Sequence, residues 1–167
     1  MDASAKIYSP KQLQQTLASA ARAEELSVVH EQDCVIVDTR NLSKPMDLAL
    51  LPNCPMIALH TDSAPTPSNP ILSHFDCVAS EKELEQLLQS IHAQPVAAST
   101  LCHLLRQSHS AEIAQALTAE SMAYSLLQSS TGFRTWLRTR SNKIQVAPES
   151  SVVELEREGS ELHIVLN

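Results

Sequence analysis

Two short, uninterrupted apolar runs in the first half of the chain constrain its fold most. Cys34–Val37 and Met56–Leu59 contain no polar residue at alternate positions. This pattern is typical of strands that are covered on both faces, as they are in parallel sheets. Val28–His30 and Phe75–Ala79 are predicted as two further short strands. The first half of the chain therefore predicts a small, mostly parallel sheet.

Helical signals flank these strands and dominate the second half of the chain. Ser9 and Gln12 form a capping box around Pro10, and Ser80 and Glu83 form a second one. Apolar residues at helical spacing follow both boxes. Further helices are predicted from Pro95, from about Ala111 to Gln128, and, after a break at Gly132, as a last turn at Phe133–Leu137.

The predicted fold is α/β, with a small, mostly parallel sheet flanked by helices and a β-hairpin at the C-terminal end. Residues 1–140 are expected to form the main domain, with strands within 28–80 and helices within 80–140. Because the helices follow the strands as a block, α+β is the alternative description.

The last part of the chain is predicted as a linker, 141–150, and a hairpin, 151–167, with a turn at Glu158–Ser160. A lone hairpin is only marginally stable in water. We therefore expect it to pack on the main domain, to pair with another chain or to belong to a longer one. Its open edges favour a homo-oligomer or a partner domain or chain.

Composition excludes several kinds of binding site. The chain has 2 glycines among its 167 residues, Gly132 and Gly159, whereas glycine-rich phosphate loops need several close together. A net charge of −7 does not supply the basic surface that nucleic acids require. We therefore expect no nucleic-acid partner.

The cysteines, the histidines and the N-terminus predict a cytoplasmic protein that holds no metal ion. The four cysteines form no C-x-x-C pair, so reduced thiols are expected. No two of the 7 histidines have the i, i+4 spacing of a helical metal site. The first residues lack the pattern of a secretory signal, and no apolar stretch approaches the roughly 18 residues of a membrane span. We therefore expect no contact with membranes.

The closing residues resemble a known protein family. Val153–Asn167 is similar to the opening hairpin of the enoyl-CoA hydratase/isomerase (crotonase) family, which ends in Leu-Asn. Upstream, Pro55–Ala58 followed by Asp76–Ser80 is similar to the strand of that family that leads into its second oxyanion segment. The resemblance implies that residues 1–140 are a degenerate crotonase-like spiral that precedes a catalytic domain.

The resemblance ends where the chemistry of that family takes place. The family has glycines between these two strands because their N–H groups approach the thioester oxygen. His60–Pro70 contains no glycine and three prolines, which lack the N–H donor. The resemblance therefore implies a non-catalytic accessory or assembly module of an enoyl-CoA hydratase/isomerase-like protein, and no catalytic residue is transferred to this chain.

Two alternatives remain open. The first is a protein that binds acyl-CoA, or an enzyme of the acyl-CoA hydratase/isomerase type, with a CoA thioester as its ligand and no other cofactor. The second is a small-ligand or protein-binding regulatory domain, which is suggested by the buried strand and polar exit at Val35–Arg40.

Glu120 is the candidate catalytic residue. On the predicted helix from 111 to 128, one face carries Ile113, Leu117, Tyr124 and Leu127, and Glu120 falls near its middle. A buried carboxylate needs a partner or a raised pKa. It can act as a general base or contact an acyl group, or it can have a structural role in an ion pair or a hydrogen bond to a tyrosine. The candidate ion-pair partners are Arg106, Arg134 and Arg138.

Arg134, Trp136 and Arg138 are the candidate ligand-binding residues. They form a basic and aromatic cluster in an otherwise acidic chain. Guanidinium groups beside an aromatic ring can hold the phosphates and the adenine of CoA. The alternative is structural, because cations near the end of a helix favour its dipole and an amphipathic tail can dock on a partner.

Overall fold

The computed structural model describes residues 6–61, 70–108, 111–140 and 153–166. The chain divides into two compact units, Met1–Leu137 and Arg138–Asn167, and each is described by itself. The predicted linker, 141–150, lies outside the described residues. So does most of the segment between His60 and Pro70, and a short 3₁₀ turn follows at Pro70–Leu72.

The first unit is built on a four-stranded parallel sheet. The strands are β1 (Ile7–Tyr8), β2 (Val35–Asp38), β3 (Met56–Leu59) and β4 (Cys77–Ala79), and they lie in chain order. Every neighbouring pair is parallel. The expectation of an α/β fold with a mostly parallel sheet is confirmed.

The two central strands are buried on both faces, which explains their uninterrupted apolar sequence. On one face, Val35 and Val37 join a cluster with Leu13 and Leu17. On the other face, Ile36 joins a separate cluster of apolar residues. Alternate residues of a strand point to opposite faces of the sheet. When both faces are covered, every side chain of the strand is buried, so apolar residues are favoured at each position.

The described part of the chain contains six α-helices. They are α1 (Pro10–Leu17), α2 (Ala20–Glu25), α3 (Glu81–Ala93), α4 (Pro95–Ser108), α5 (Ile113–Ser129) and α6 (Thr131–Thr139). Both predicted capping boxes are present, at the beginning of α1 and of α3. The cluster on one face of the sheet includes α1, and the cluster on the other face includes Leu84, Leu87, Leu88 and Ile91 of α3.

Two local predictions were wrong. Val28–His30 is a 3₁₀ helix rather than a strand, because the Ser27 hydroxyl bonds the His30 ring at 3.0 Å and Glu31 turns the chain with a φ of 61°. Gly132 does not end a helix but lies inside α6. The break falls at Ser130, whose extended backbone separates α5 from α6 and whose hydroxyl accepts a hydrogen bond from the Phe133 N–H.

The second unit contains the predicted hairpin. β5 (Val153–Glu158) pairs antiparallel with β6 (Glu161–Leu166). Gly159 has a φ of 60°, a left-handed conformation that glycine adopts without steric cost. Among the described residues, none of the helices is long and apolar enough to cross a membrane.

Candidate functional site

A bidentate ion pair lies at the amino edge of the sheet. Asp76 precedes β4, and Arg106 lies in the last turn of α4. Arg106 Nε donates to Asp76 Oδ1 at 2.8 Å, and Arg106 Nη2 donates to Asp76 Oδ2 at 2.5 Å. The two side chains are 15% and 10% exposed. Such a paired, partly buried geometry is the strong form of an ion pair.

The same two side chains also bind backbone groups of the segment before β3. Arg106 donates to the carbonyl oxygens of Pro52 at 2.7 Å and of Cys54 at 3.0 Å. Asp76 Oδ2 accepts the Met56 N–H at 2.6 Å. The pair therefore ties α4, the beginning of β3 and the beginning of β4 together, and we call it the Asp76–Arg106 latch.

The sequence suggested Arg106 only as a partner for Glu120, and the structure corrects this. A signal for the latch was present in Asp76, an acidic residue directly before a predicted buried strand. Its partner could not be chosen from sequence, because 30 residues separate Asp76 from Arg106.

A cavity of about 510 Å³ lies beside the latch. Its walls come from α3, from α4 and from the segments that precede β3 and β4. The apolar part of the wall includes Leu51, Phe75, Leu87, Ile91, Leu101 and Leu105. The polar part includes the latch itself and His74, and the thiols of Cys77 and Cys102 also line the cavity.

The thiols around this edge are protonated at neutral pH. Burial, together with the nearby Asp76 carboxylate, raises the pKa of Cys77 and of Cys102 to about 11. Burial also raises the pKa of Cys34 to about 11 and that of Cys54 to about 12. Since the thiolate is the nucleophile and the metal ligand, these residues act as small apolar side chains. Cys34 and Cys54 are buried, while Cys77 and Cys102 are half-buried.

Glu120 is exposed, so the expectation that it is buried was wrong. The predicted face does exist, but Ile113, Leu117 and Tyr124 on it are 79%, 60% and 65% exposed. The half-buried positions of α5 are Ala116, Ala119, Ala123 and Leu127, so Leu127 is the one residue of the predicted face that is partly covered. α5 packs mainly against α4. The predicted helical periodicity was correct, but α5 packs through a different side from the one predicted.

The candidate ligand-binding residues lie on α6. Arg134, Trp136 and Arg138 are all exposed. Trp136 stacks on Phe133, with ring centroids 5.6 Å apart. Arg134 and Trp136 lie in the first unit and Arg138 in the second. Their binding of a CoA thioester stays a prediction.

A second group of charged residues lies at the carboxyl edge of the sheet, where parallel α/β sheets commonly bind ligands. Arg40 follows β2 and bonds Asp38 at 2.7 Å and Glu81, at the start of α3, at 2.7 Å. The hydrogen bonds that Arg40 donates to Asp38 hold the pKa of that carboxyl below its usual range. A small pocket of about 250 Å³ adjoins them and is also lined by His60 and Lys82. The charged side chains of Asp38, Arg40 and Glu81 form ion pairs with one another, so a structural role accounts for their presence at this edge.

Across the described ranges, no three His, Cys, Asp or Glu side chains converge as a metal ion requires. Comparisons with models of known families, with curated proteins and with solved structures find nothing that matches this chain. A functional proposal must therefore rest on the chain's own residues.

Proposed function

We propose that this chain is a non-catalytic assembly module that associates with a second copy of itself through an exposed face of α5. We call Ile113, Leu117, Glu120 and Tyr124 the α5 face. One observation carries the proposal: α5, which the structure describes in full, is 17 residues long and contains no buried residue.

The composition of α5 is that of a covered helix. Glu120 is its one charged residue, whereas a helix that faces water normally has a charged side. The three large side chains of the α5 face are each at least 60% exposed, and contiguous exposed apolar surface is typical of interaction sites. A partner that covers this face would remove that surface from water.

A second copy fits this surface because the charges near it have both signs. Glu120 lies on the α5 face, and Arg134 lies on α6, just beyond the end of α5. Two copies related by a two-fold axis present the same patch to each other, so each can offer a guanidinium to the carboxylate of the other. The net charge of −7 on the whole chain makes two copies repel each other. A surface with charges of both signs is therefore the one best suited to self-association.

The module is further proposed to accompany an enoyl-CoA hydratase/isomerase-like catalytic domain, and to be a degenerate crotonase-like spiral itself. The support is the resemblance of Val153–Asn167 and of the strand segments at Pro55–Ala58 and Asp76–Ser80. On this proposal the chain itself turns over no acyl-CoA. Hydration of a short-chain enoyl-CoA above background, lost on Glu120→Gln, would favour the enzyme alternative instead.

Sedimentation velocity over a concentration series tests the association. Leu117→Glu places a charge in the α5 face and is expected to give a monomer at every concentration at which the wild type is a dimer. Val29→Glu is the matched control, because Val29 is an 87% exposed apolar residue outside α5. It should sediment like the wild type. A monomeric wild type, or a Leu117→Glu variant that associates equally well, contradicts the proposal.

A further inference from the structure

We infer that the cavity beside the Asp76–Arg106 latch binds a small, uncharged molecule with an aliphatic chain. The inference does not depend on self-association, because the cavity is formed by α3, α4 and two segments next to the sheet, and none of its lining residues lies on α5.

The size of the cavity suits a small molecule. Its volume of about 510 Å³ lies within the roughly 300–1,000 Å³ of small-molecule sites. By comparison, an apolar cavity of about 150 Å³ is enough to hold benzene. The space is therefore sufficient for a chain of several carbon atoms.

The wall explains the preference for an aliphatic chain. Leu87 and Ile91 of α3 line it from one side, and Leu101 and Leu105 of α4 from another. Leu101 and Leu105 are 54% and 58% exposed although α4 is anchored to the sheet by the latch. An apolar chain in the cavity would cover the exposed parts of these two leucines.

The latch explains the preference for a neutral molecule. The guanidinium of Arg106 is already bound by Asp76 and by two backbone carbonyl oxygens. An anionic ligand would therefore meet the Asp76 carboxylate with no guanidinium released to neutralise it, and a cationic ligand would compete with Arg106. A hydroxyl group can instead hydrogen-bond His74, an exposed lining residue.

Calorimetric titration of the full chain with 1-octanol and with octanoate tests the inference, since the two probes share a chain length and differ in charge. We expect saturable binding of 1-octanol at one site per chain, and binding of octanoate that is at least about tenfold weaker because a carboxylate must lose its hydration. Non-saturable uptake of 1-octanol, or equal affinity for octanoate, overturns the inference.

Two matched variants locate the site. Leu105→Glu and Leu117→Glu each add one charge at a leucine about 60% exposed on a helix, but only Leu105 lines the cavity. Leu105→Glu should weaken 1-octanol binding at least about tenfold while Leu117→Glu leaves it unchanged. If Leu105→Glu fails to melt cooperatively, Leu101→Gln takes its place.

The pattern across these variants separates the cavity from the association proposed above. Loss of binding in Leu105→Glu alone supports the cavity, whatever the oligomeric state. Equal loss in both variants overturns the inference, because binding would then belong to the exposed helices in general or to a dimer interface. Wild-type affinity in Leu105→Glu also overturns it.

Discussion

Arg106 and Asp76 form a bidentate ion pair at the amino edge of the sheet. The residues are 30 positions apart, and their atoms approach to 2.5 and 2.8 Å. Because the pair also binds three backbone groups next to β3, it fixes the position of α4 on the sheet. The wall of the neighbouring cavity depends on that position.

Removing one member of the latch should destabilise the protein strongly. Arg106→Gln leaves the Asp76 carboxylate poorly solvated and without its partner, so we expect the free energy of unfolding in urea at pH 7 to fall by roughly 3–5 kcal/mol. Arg40→Gln is the control, because Arg40 also binds two carboxylates but at an exposed site, where ion pairs contribute little. Equal losses in the two variants would contradict the role of the latch.

The buried thiols predict a loss of stability at alkaline pH. Burial raises the pKa of Cys54 from 9.0 to about 12, so the thiol stays neutral in the folded state after it ionises in the unfolded state. Its contribution is complete below pH 9 and is lost as the pH rises towards 12, at up to about 1.4 kcal/mol per pH unit. Under reducing conditions, the free energy of unfolding should fall less steeply above pH 9 in Cys54→Ala than in the wild type. If the free energy of unfolding falls equally steeply with pH in both proteins, Cys54 is not the source of the alkaline destabilisation.

Thiol labelling should separate the cysteines by their position. Cys77 and Cys102 are half-buried and line the cavity, whereas Cys34 and Cys54 are buried. With all four thiols protonated at neutral pH, access decides the order of reaction. Mass spectrometry after brief alkylation should find Cys77 and Cys102 modified first, and labelling of Cys34 ahead of both would be inconsistent with the structure.

The hairpin turn depends on Gly159. A side chain at a φ of 60° costs about 1–2 kcal/mol, so Gly159→Val should destabilise pairing of β5 with β6. Amide exchange of residues 161–166, measured by NMR, should become faster in that variant and remain as in the wild type in Ser160→Ala. Unchanged exchange in Gly159→Val would rule out the left-handed turn.

The predictions that succeeded depend on neighbouring residues. Ser9 with Gln12, and Ser80 with Glu83, satisfy helix ends within one turn, so sequence alone identifies them. The runs around Val35 and Met56 were also reliable, because uninterrupted apolar sequence is hard to accommodate outside a covered strand.

The predictions that failed depend on contacts across the chain. Val28–His30 has the β-branched residues of a strand, but Ser27 bridges to Asn53 and bonds His30 instead. The helical period around Glu120 was predicted correctly, but the side of α5 that packs, Ala116 to Leu127, is set by the contact with α4. The latch required choosing one partner for Arg106 among 19 acidic residues, a choice that no local pattern makes.

Hydroxyl-radical footprinting at low and high protein concentration tests the proposed association most directly, because α5 contains its own control. Tyr124 lies on the α5 face and is 65% exposed, while Met122 is 68% exposed and lies about 160° away around the helix. As the concentration rises through the dimer range, labelling of Tyr124 and Leu117 should fall while that of Met122 stays constant. A dimer in which Tyr124 stays as reactive as in the monomer, or loses reactivity equally with Met122, would contradict self-association through the α5 face.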